Sequence, residues 1–471
     1  VSEAGRAALY VHGAAREVTG SRTLLDTGRS RVLIECGIVQ GDRDADERNR
    51  EKFPFDPARL DAVVLSHVHL DHSGLLPRLV AEGYRGPIHC TPASAELLPI
   101  MLRDAASLQA RDVEWENKWR QRAGRPLLRP MYGADDVERL LDRLNTTPYG
   151  REVRIAADVG LCFRDAGHIL GSAIVELGVD VGGGTRRVVY SGDLGFRDSV
   201  LMREPDTIEQ ADVVFMEGTY GGRDHRRREE TLAEFEAVLA QAHEDGGNVL
   251  IPSFAVGRTQ ELLYYLALLH HRGRLKQTQV FLDSPMAVAV TAVYARNMKD
   301  LDADDLRELA TASKGHDDLG LPILKITRTP QESMRINRVT GGAVIIAGSG
   351  MCEGGRIRHH LKYNLWRRDA HVVIVGFQAR GTLGRRLIDG ADSVRILGQD
   401  IAVNARVHSI GGFSAHAGQR ELLQWARGFR SNPRFYLMHG EDEALDALRQ
   451  ALEAAGIQAQ VPGPGERIDL D

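Results

Sequence analysis

Along the chain, short apolar runs rich in β-branched residues alternate with stretches whose apolar positions recur at helical spacing, and this alternation predicts an α/β fold. Strands are expected at 31–35, 62–66, 172–177, 187–191, 213–217, 248–252, 279–282, 343–347, 371–376, 403–410 and 434–438. Helical spacing marks 93–120, 135–144, 229–243, 259–270 and 418–427. Between 179 and 187, Gly182, Gly183 and Gly184 predict a hairpin turn. There is no internal repeat and no low-complexity tract. The stretch 221–228 turns glycine- and arginine-rich after a strand, which predicts a domain boundary, and a softer one falls near 390–400. The tail 458–471 is short and has few packing residues.

A chain of 471 residues, at roughly 100–200 residues per domain, predicts two or three domains. The apolar share of 43% and charged share of 27% exclude a disordered or collagen-like chain. With 60 Lys and Arg against 65 acids the net charge is −5, so any nucleic-acid contact must come from local basic patches. No apolar run approaches the ~18 residues of a membrane span, so no membrane partner is expected. The start, VSEAGRAALYVHG, lacks the basic-then-apolar pattern of a signal peptide. Cys36, Cys90, Cys162 and Cys352 form no C-x-x-C pair, which fits a reducing cytoplasm.

The strongest chemical signal is His67-Val68-His69-Leu70-Asp71-His72, directly after the apolar strand AVVLS. Neutral imidazoles and carboxylates suit zinc and related divalent ions. At this spacing His67 and His69 can share one ion while Asp71 and His72 serve a second. The competing reading is a histidine-rich surface turn. Further ligands stand in similar settings, at strand ends or glycine turns: His168 in DAGHILGSA, Asp193 in VVYSGDLG and His439 in FYLMHGE. Each alone reads more readily as a hydrogen-bonded loop residue.

HVHLDH, then GH with His168, then SGD with Asp193, resembles the metallo-β-lactamase fold superfamily. MEGTYG with Glu217, PSFAVGRTQELL, FLDSPMA, GSGMCEGGRI, GFQARGTLGRRL, GGFSAHA with His416 and MHGE with His439 narrow the resemblance to the β-CASP nucleases. Within them it is similar to the RNA-processing branch, which includes the endonuclease subunit of the cleavage and polyadenylation specificity factor and its bacterial and archaeal relatives. The resemblance runs from REVTGS at 16–21 to the MHGE turn.

It implies an αββα metallo-β-lactamase fold with a doubly wound α/β β-CASP domain inserted between the Glu217 strand and the segment before His416. The expected parts are 1–220 and 401–471 for the first domain and 221–400 for the insertion. By motif, His67, His69 and His168 hold one zinc, Asp71, His72 and His439 the other, and Asp193 bridges them, with manganese a possible substitute. The implied reaction is hydrolysis of RNA phosphodiesters by a two-metal-activated hydroxide, leaving 5′-phosphate and 3′-hydroxyl ends. His416, oriented and charged by Glu217, is the expected acid for the leaving oxygen, because a carboxylate beside an imidazole raises its pKa. Asp71 has a possible second role in holding the attacking water.

Candidate substrate contacts are Ser349 and Gly350 in a glycine-rich loop, Arg258 at a helix start, and Ser414 two residues before His416. The segment 356–368 has five Lys/Arg and no acid around Tyr363 and Trp366, which fits either a face tracking RNA or a packed helix with a basic side. Asp283 in FLDSPMA reads as structural or substrate-positioning. Two positions depart from the family: Glu35 replaces the usual aspartate in LIECG, and Gly218 the usual serine of ESTYG. The implied partner is single-stranded RNA, cut internally, stepwise from the 5′ end, or both, and a homodimer is a weaker expectation. The alternatives are a DNA-processing β-CASP nuclease, against which His439 argues, a small-molecule hydrolase, and a catalytically silent RNA-binding scaffold.

Overall fold

The computed structural model describes residues 7–41, 44–313, 320–376, 378–379 and 381–470. Phe377 and Arg380 of the GFQARGTLGRRL string lie outside the described residues. The chain forms two compact units. The first comprises the chain up to Arg197, Glu204–Asp224 and the chain from His416; the second comprises Asp198–Arg203 and His225–Ala415.

The first unit holds two seven-stranded sheets. One runs, in spatial order, Arg467–Asp469, Ala8–Gly13, Arg22–Asp26, Arg31–Ile34, Ala62–Val64, Ile88–Cys90 and Leu144–Thr146. The other runs Ala459–Gln460, Arg434–Met438, Val213–Glu217, Thr185–Tyr190, Ala173–Asp180, Val159–Asp165 and Val153–Ala156. Period-2 geometry explains how VVFME serves two cores at once. Val213 and Phe215 pack with Val32, Ile34 and Val64 of the facing sheet. Val214 and Met216 point the other way, against Leu422 and Trp425 of the helix Gln419–Ala426 and Leu445 and Leu448 of the helix Asp442–Ala454. The helix Ala134–Leu141 packs against both Leu76–Ala81 and Pro92–Arg122, and Pro92–Arg122 touches the edge strand Leu144–Thr146 of the first sheet. The expected hairpin closes at Val181, whose N–H donates to the Gly184 carbonyl at 3.0 Å.

The second unit is built on a six-stranded, all-parallel sheet in the order Leu324–Ile326, Gln279–Asp283, Ala343–Ala347, Val249–Pro252, His371–Ile374 and Arg406–Ser409. Both faces are covered. Val249, Ile251, Val344 and Ile346 pack with the helix Arg258–His271 on one side, and Leu250, Ala347, Val372 and Ile374 with the helix Ile357–Asn364 on the other. The sheet is therefore doubly wound. The boundary expected at 400 falls too early: Arg406–Ser409 pairs in parallel with His371–Ile374, so the second unit continues to Ala415. Asp198–Arg203 also belongs to it, with the Leu201 amide donating to Asp305 Oδ2 at 2.8 Å. Among the described residues no helix is long and apolar enough to cross a membrane.

Candidate metal centre

Each candidate ligand of the first unit sits where a buried strand stops. The strand Ala62–Val64 gives way to Ser66 and His67, and a one-turn helix, Leu70–Ser73, starts at His69 and carries Asp71 and His72. The turn is clamped by backbone bonds: Ser21 N–H donates to the Asp71 carbonyl at 2.8 Å and Cys36 N–H to the His72 carbonyl at 2.7 Å. That approach requires glycine at position 37, where a Cβ would lie 1.6 Å from the Asp71 carbonyl oxygen. His168 follows the strand Val159–Asp165, its amide held by Ser172 Oγ at 3.0 Å. Asp193 follows Thr185–Tyr190. His439 ends Arg434–Met438 with φ +53°, a strained setting for a histidine, and its N–H donates to the Ala14 carbonyl at 2.7 Å.

These turns bring two sets of donors to one carboxylate. In the first set, His67 Nε2 and His168 Nε2 lie 3.0 and 3.3 Å from His69 Nδ1, and 3.4 and 3.6 Å from Asp193 Oδ2. In the second, His72 Nε2 lies 3.1 Å from His439 Nε2, and these two nitrogens are 3.9 and 3.5 Å from Asp71 Oδ2. Asp193 Oδ1 faces this second set, 3.3 Å from His72 Nε2 and 3.6 Å from His439 Nδ1. That oxygen is buried without a hydrogen-bond partner among the described residues.

The donors fit zinc. Ligands at ~2.0–2.2 Å around a tetrahedral ion stand about 3.3–3.6 Å apart, and the distances within the two sets, 3.0–3.6 and 3.1–3.9 Å, bracket that spacing. Both sets are groups that could hold a metal ion. Burial pushes His67 down to about 3 and His69 to about 4, and holds His168 well below the usual imidazole range. These rings are therefore neutral, with lone pairs available to a cation. Burial also opposes charge on His72, but Asp193 and then Asp71 outweigh it and raise His72.

Glu217 closes its strand, fully buried, and is held from three sides. Its Oε1 accepts from Leu194 N–H at 2.8 Å and His416 Nδ1–H at 3.1 Å, and its Oε2 from Thr219 N–H at 3.2 Å. His416 Nδ1 is also 3.9 Å from Asp193 Oδ2, so the pair borders the ligand cluster. Burial would lower His416, but Glu217 and then Asp193 raise it to about 9.

Both family departures have a structural account. Glu35 spans the extra methylene and still braces the site, accepting from Ser66 N–H at 2.6 Å and His72 Nδ1–H at 2.9 Å. At Gly218 a Cβ would come within 2.5 Å of Leu445 Cδ2, so the helix Asp442–Ala454 occupies the space a serine would need. Sequence reasoning missed Thr219, whose hydroxyl lies 3.0 Å from His439 Nδ1, and Ser66, whose hydroxyl lies 3.0 Å from His67 Nδ1. Both stand within strings already singled out, next to a ligand or the acid pair.

The four substrate candidates lie in the second unit, and one reads differently there. Arg258 is buried, ion-paired with Glu261 one turn on, with its guanidinium 5.8 Å from the Phe413 ring. It is a buried, paired cation within the unit. Ser349 closes its own loop, its N–H donating to the Gly354 carbonyl at 3.3 Å and its Oγ accepting from Gly354 N–H at 3.1 Å. The Gly350 carbonyl accepts from Gln378 Nε2 at 2.9 Å, and the Phe254 ring lies where a Cβ at 350 would be. Ser414 is buried. In the 356–368 segment Tyr363 and Trp366 are exposed, while Arg356 is tied to Asp283 at 2.6 Å and Arg367 to Asp369 at 2.8 Å.

Residues 16–241 match the metallo-beta-lactamase superfamily, 259–387 the Beta-Casp domain, and 400–462 the Zn-dependent metallo-hydrolase RNA specificity domain. The chain is 43% identical to Ribonuclease TTHA0252 of Thermus thermophilus over 458 residues, covering 97% of this chain and 99% of that protein. It is 31% identical to Transcription termination factor FttA of Methanothermobacter thermautotrophicus over 471 residues, covering 97% of this chain and 70% of that one. A crystal structure of a protein of unknown function from Enterococcus faecalis V583 has the same fold, with TM-score 0.52, 12% identity and coverage of 99% and 100% of the two chains. Motif order, domain composition and full-length similarity agree: the chain belongs to the β-CASP family of the metallo-β-lactamase superfamily and is a metal-dependent hydrolase.

Proposed function

We propose that this protein is a zinc-dependent ribonuclease that hydrolyses phosphodiester bonds of single-stranded RNA and leaves 5′-phosphate and 3′-hydroxyl ends. The observation that carries the proposal is the Glu217–His416 pair at the border of the ligand cluster. Hydrolysis of a phosphodiester needs a proton for a poor leaving group, whereas a lactamase or thioesterase of this superfamily needs no such pair. The names of the relatives, a ribonuclease and a transcription termination factor, favour RNA, as does a histidine at position 439. Four free, buried cysteines suit a reducing cytoplasm.

When bound, two zinc ions would generate a nucleophile from water at neutral pH and neutralise charge on the phosphate. His67, His69 and His168 would hold one, Asp71, His72 and His439 the other, with one oxygen of Asp193 toward each. Asp71, the more exposed carboxylate, would also orient the attacking water. Glu217 fixes the His416 tautomer through Nδ1, so Nε2–H is the proton delivered to the departing 3′-oxygen.

The test is cleavage of end-labelled single-stranded RNA bearing a 5′-monophosphate, triphosphate or hydroxyl, with zinc, beside DNA of the same sequence and a His416→Ala variant. Metal-dependent RNA cleavage that collapses in the variant is the expected result. Mononucleotides released from the 5′ end would mean stepwise action, and mid-length fragments internal cutting. Zinc binding with neither polymer cut would overturn the proposal.

A further inference from the structure

The helix Pro92–Arg122 is 31 residues long, yet its last buried residue is Ala106. From 107 to 130 no side chain is buried, although the stretch contains two tryptophans. Trp115 is 73% exposed and Trp119 is 49% exposed. Four residues apart on a helix, they stand on one face about one turn from each other. Neither ring contributes to a core.

Glu114 and Glu116 flank Trp115, but beyond them the charge is one-sided. Residues 118–129 contain Lys118, Arg120, Arg122, Arg125 and Arg129 and no acid, in a chain whose net charge is −5. The Arg125 guanidinium lies 4.9 Å from the Trp119 ring centre. Lys118 and Arg120 pair with Glu114 and Glu116 one turn back, at 2.9 and 3.0 Å; the first pair is exposed and therefore weak, and the second is half-buried. The helix dipole accounts for cations in the last turn and does not account for exposed tryptophans. Flat rings flanked by cations are what a single-stranded nucleic acid requires, since bases stack on the rings while the cations hold the backbone.

The other end of the helix is tied to the metal centre. Thr91 and Ser94 hydroxyls both donate to the Gly171 carbonyl, at 2.7 and 2.9 Å, in the turn that carries His168. At 1.5 Å per residue, Trp115 lies roughly 35 Å along the helix path from Pro92. We infer that the distal half of this helix is a second contact surface for single-stranded RNA, with bases on Trp115 and Trp119 and phosphates on Lys118, Arg122 and Arg125. The inference rests on the ribonuclease reading for its substrate and engages only strands long enough to reach from the metal centre.

Zinc-loaded wild type and a Trp115→Ala/Trp119→Ala variant are compared on single-stranded RNAs of about four and about twenty nucleotides, and tryptophan fluorescence is titrated with the longer one. The variant raises KM for the long RNA about tenfold or more at unchanged kcat, leaves the short RNA unaffected, and loses most of the quenching. Equal kinetics on both lengths with equal quenching overturns the inference. A variant whose solution mass falls to half that of the wild type also overturns it, because the rings would then be covered by a second copy. If wild type cuts no RNA but is quenched by it and the variant is not, the surface stands and the ribonuclease reading falls.

Discussion

His72 donates its Nδ1 proton to Glu35 Oε2 at 2.9 Å, and the other oxygen of that carboxylate accepts the Ser66 amide at 2.6 Å. One buried side chain therefore sets the tautomer of a candidate ligand in the second set and the backbone leading into the first. Carboxylates that brace ligating histidines typically contribute 10–100-fold to metal affinity. Glu35→Gln keeps the shape and loses the charge, so zinc affinity falls about 10-fold or more, read by competition with a chromophoric chelator. Glu35→Asp, the family's usual residue, retracts the carboxylate and costs less if the backbone follows it. Unchanged affinity in both variants would remove Glu35 from the site.

His416 is tested through the leaving group. Removing a general acid costs about 10²–10⁴ in rate when the departing oxygen needs its proton. A nitrophenolate departs without one. His416→Ala therefore loses about that factor on RNA and little on bis(p-nitrophenyl) phosphate, and Glu217→Gln follows the same pattern with a smaller loss. Equal losses on both substrates would mean that the pair only shapes the metal site.

Gly218 separates packing from chemistry. Serine there places its Cβ against Leu445 Cδ2, an end of a buried but movable side chain. Gly218→Ser is expected to destabilise the protein by about 1–3 kcal/mol without changing kcat. Combined with Leu445→Val, the pair is less destabilised than the sum of the single variants, a coupling read from urea denaturation. Strict additivity would place the reason for glycine elsewhere.

The candidate cluster at 67–72 was legible in the sequence because it stands at the abrupt end of an apolar strand, and strand ends in neighbouring positions converge. His168, Asp193 and His439 needed the family pattern, since a lone polar residue after a strand does not reveal what it faces. A helix-start arginine suggests an anion site, and the sequence does not reveal that Arg258 pairs with Glu261 one turn on and lies near the ring of Phe413, far away in sequence. The end of the inserted unit was misjudged for a related reason. The strand expected at 403–410 forms as Arg406–Ser409, but its pattern does not reveal which sheet it joins, and it pairs at the edge of the inserted sheet.

Asp283 is the acid-sensitive point of the second unit. Its fully buried carboxylate accepts from Arg356 Nη1, His360 Nε2 and Ser333 Oγ, each at 2.6 Å, and from the Thr327 hydroxyl. Burial alone would push it up, but the hydrogen bonds from His360, Ser333, Thr327 and Arg356 together hold it well below the usual carboxylate range. The unfolded chain titrates near ~3.9, so it binds the proton first as pH falls. The stability contributed by this carboxylate is thus complete above that value and drains away as pH drops below it toward the folded-state value. Asp283→Asn leaves Arg356 without its counter-charge and should cost about 3–5 kcal/mol at neutral pH. The gap between wild type and variant, followed by urea denaturation from neutral to acid pH, narrows below about pH 4 as the wild type loses its advantage. A gap that stays constant from neutral to acid pH would mean that Asp283 binds its proton equally in the folded and unfolded chains, and that its partners do not hold its charge.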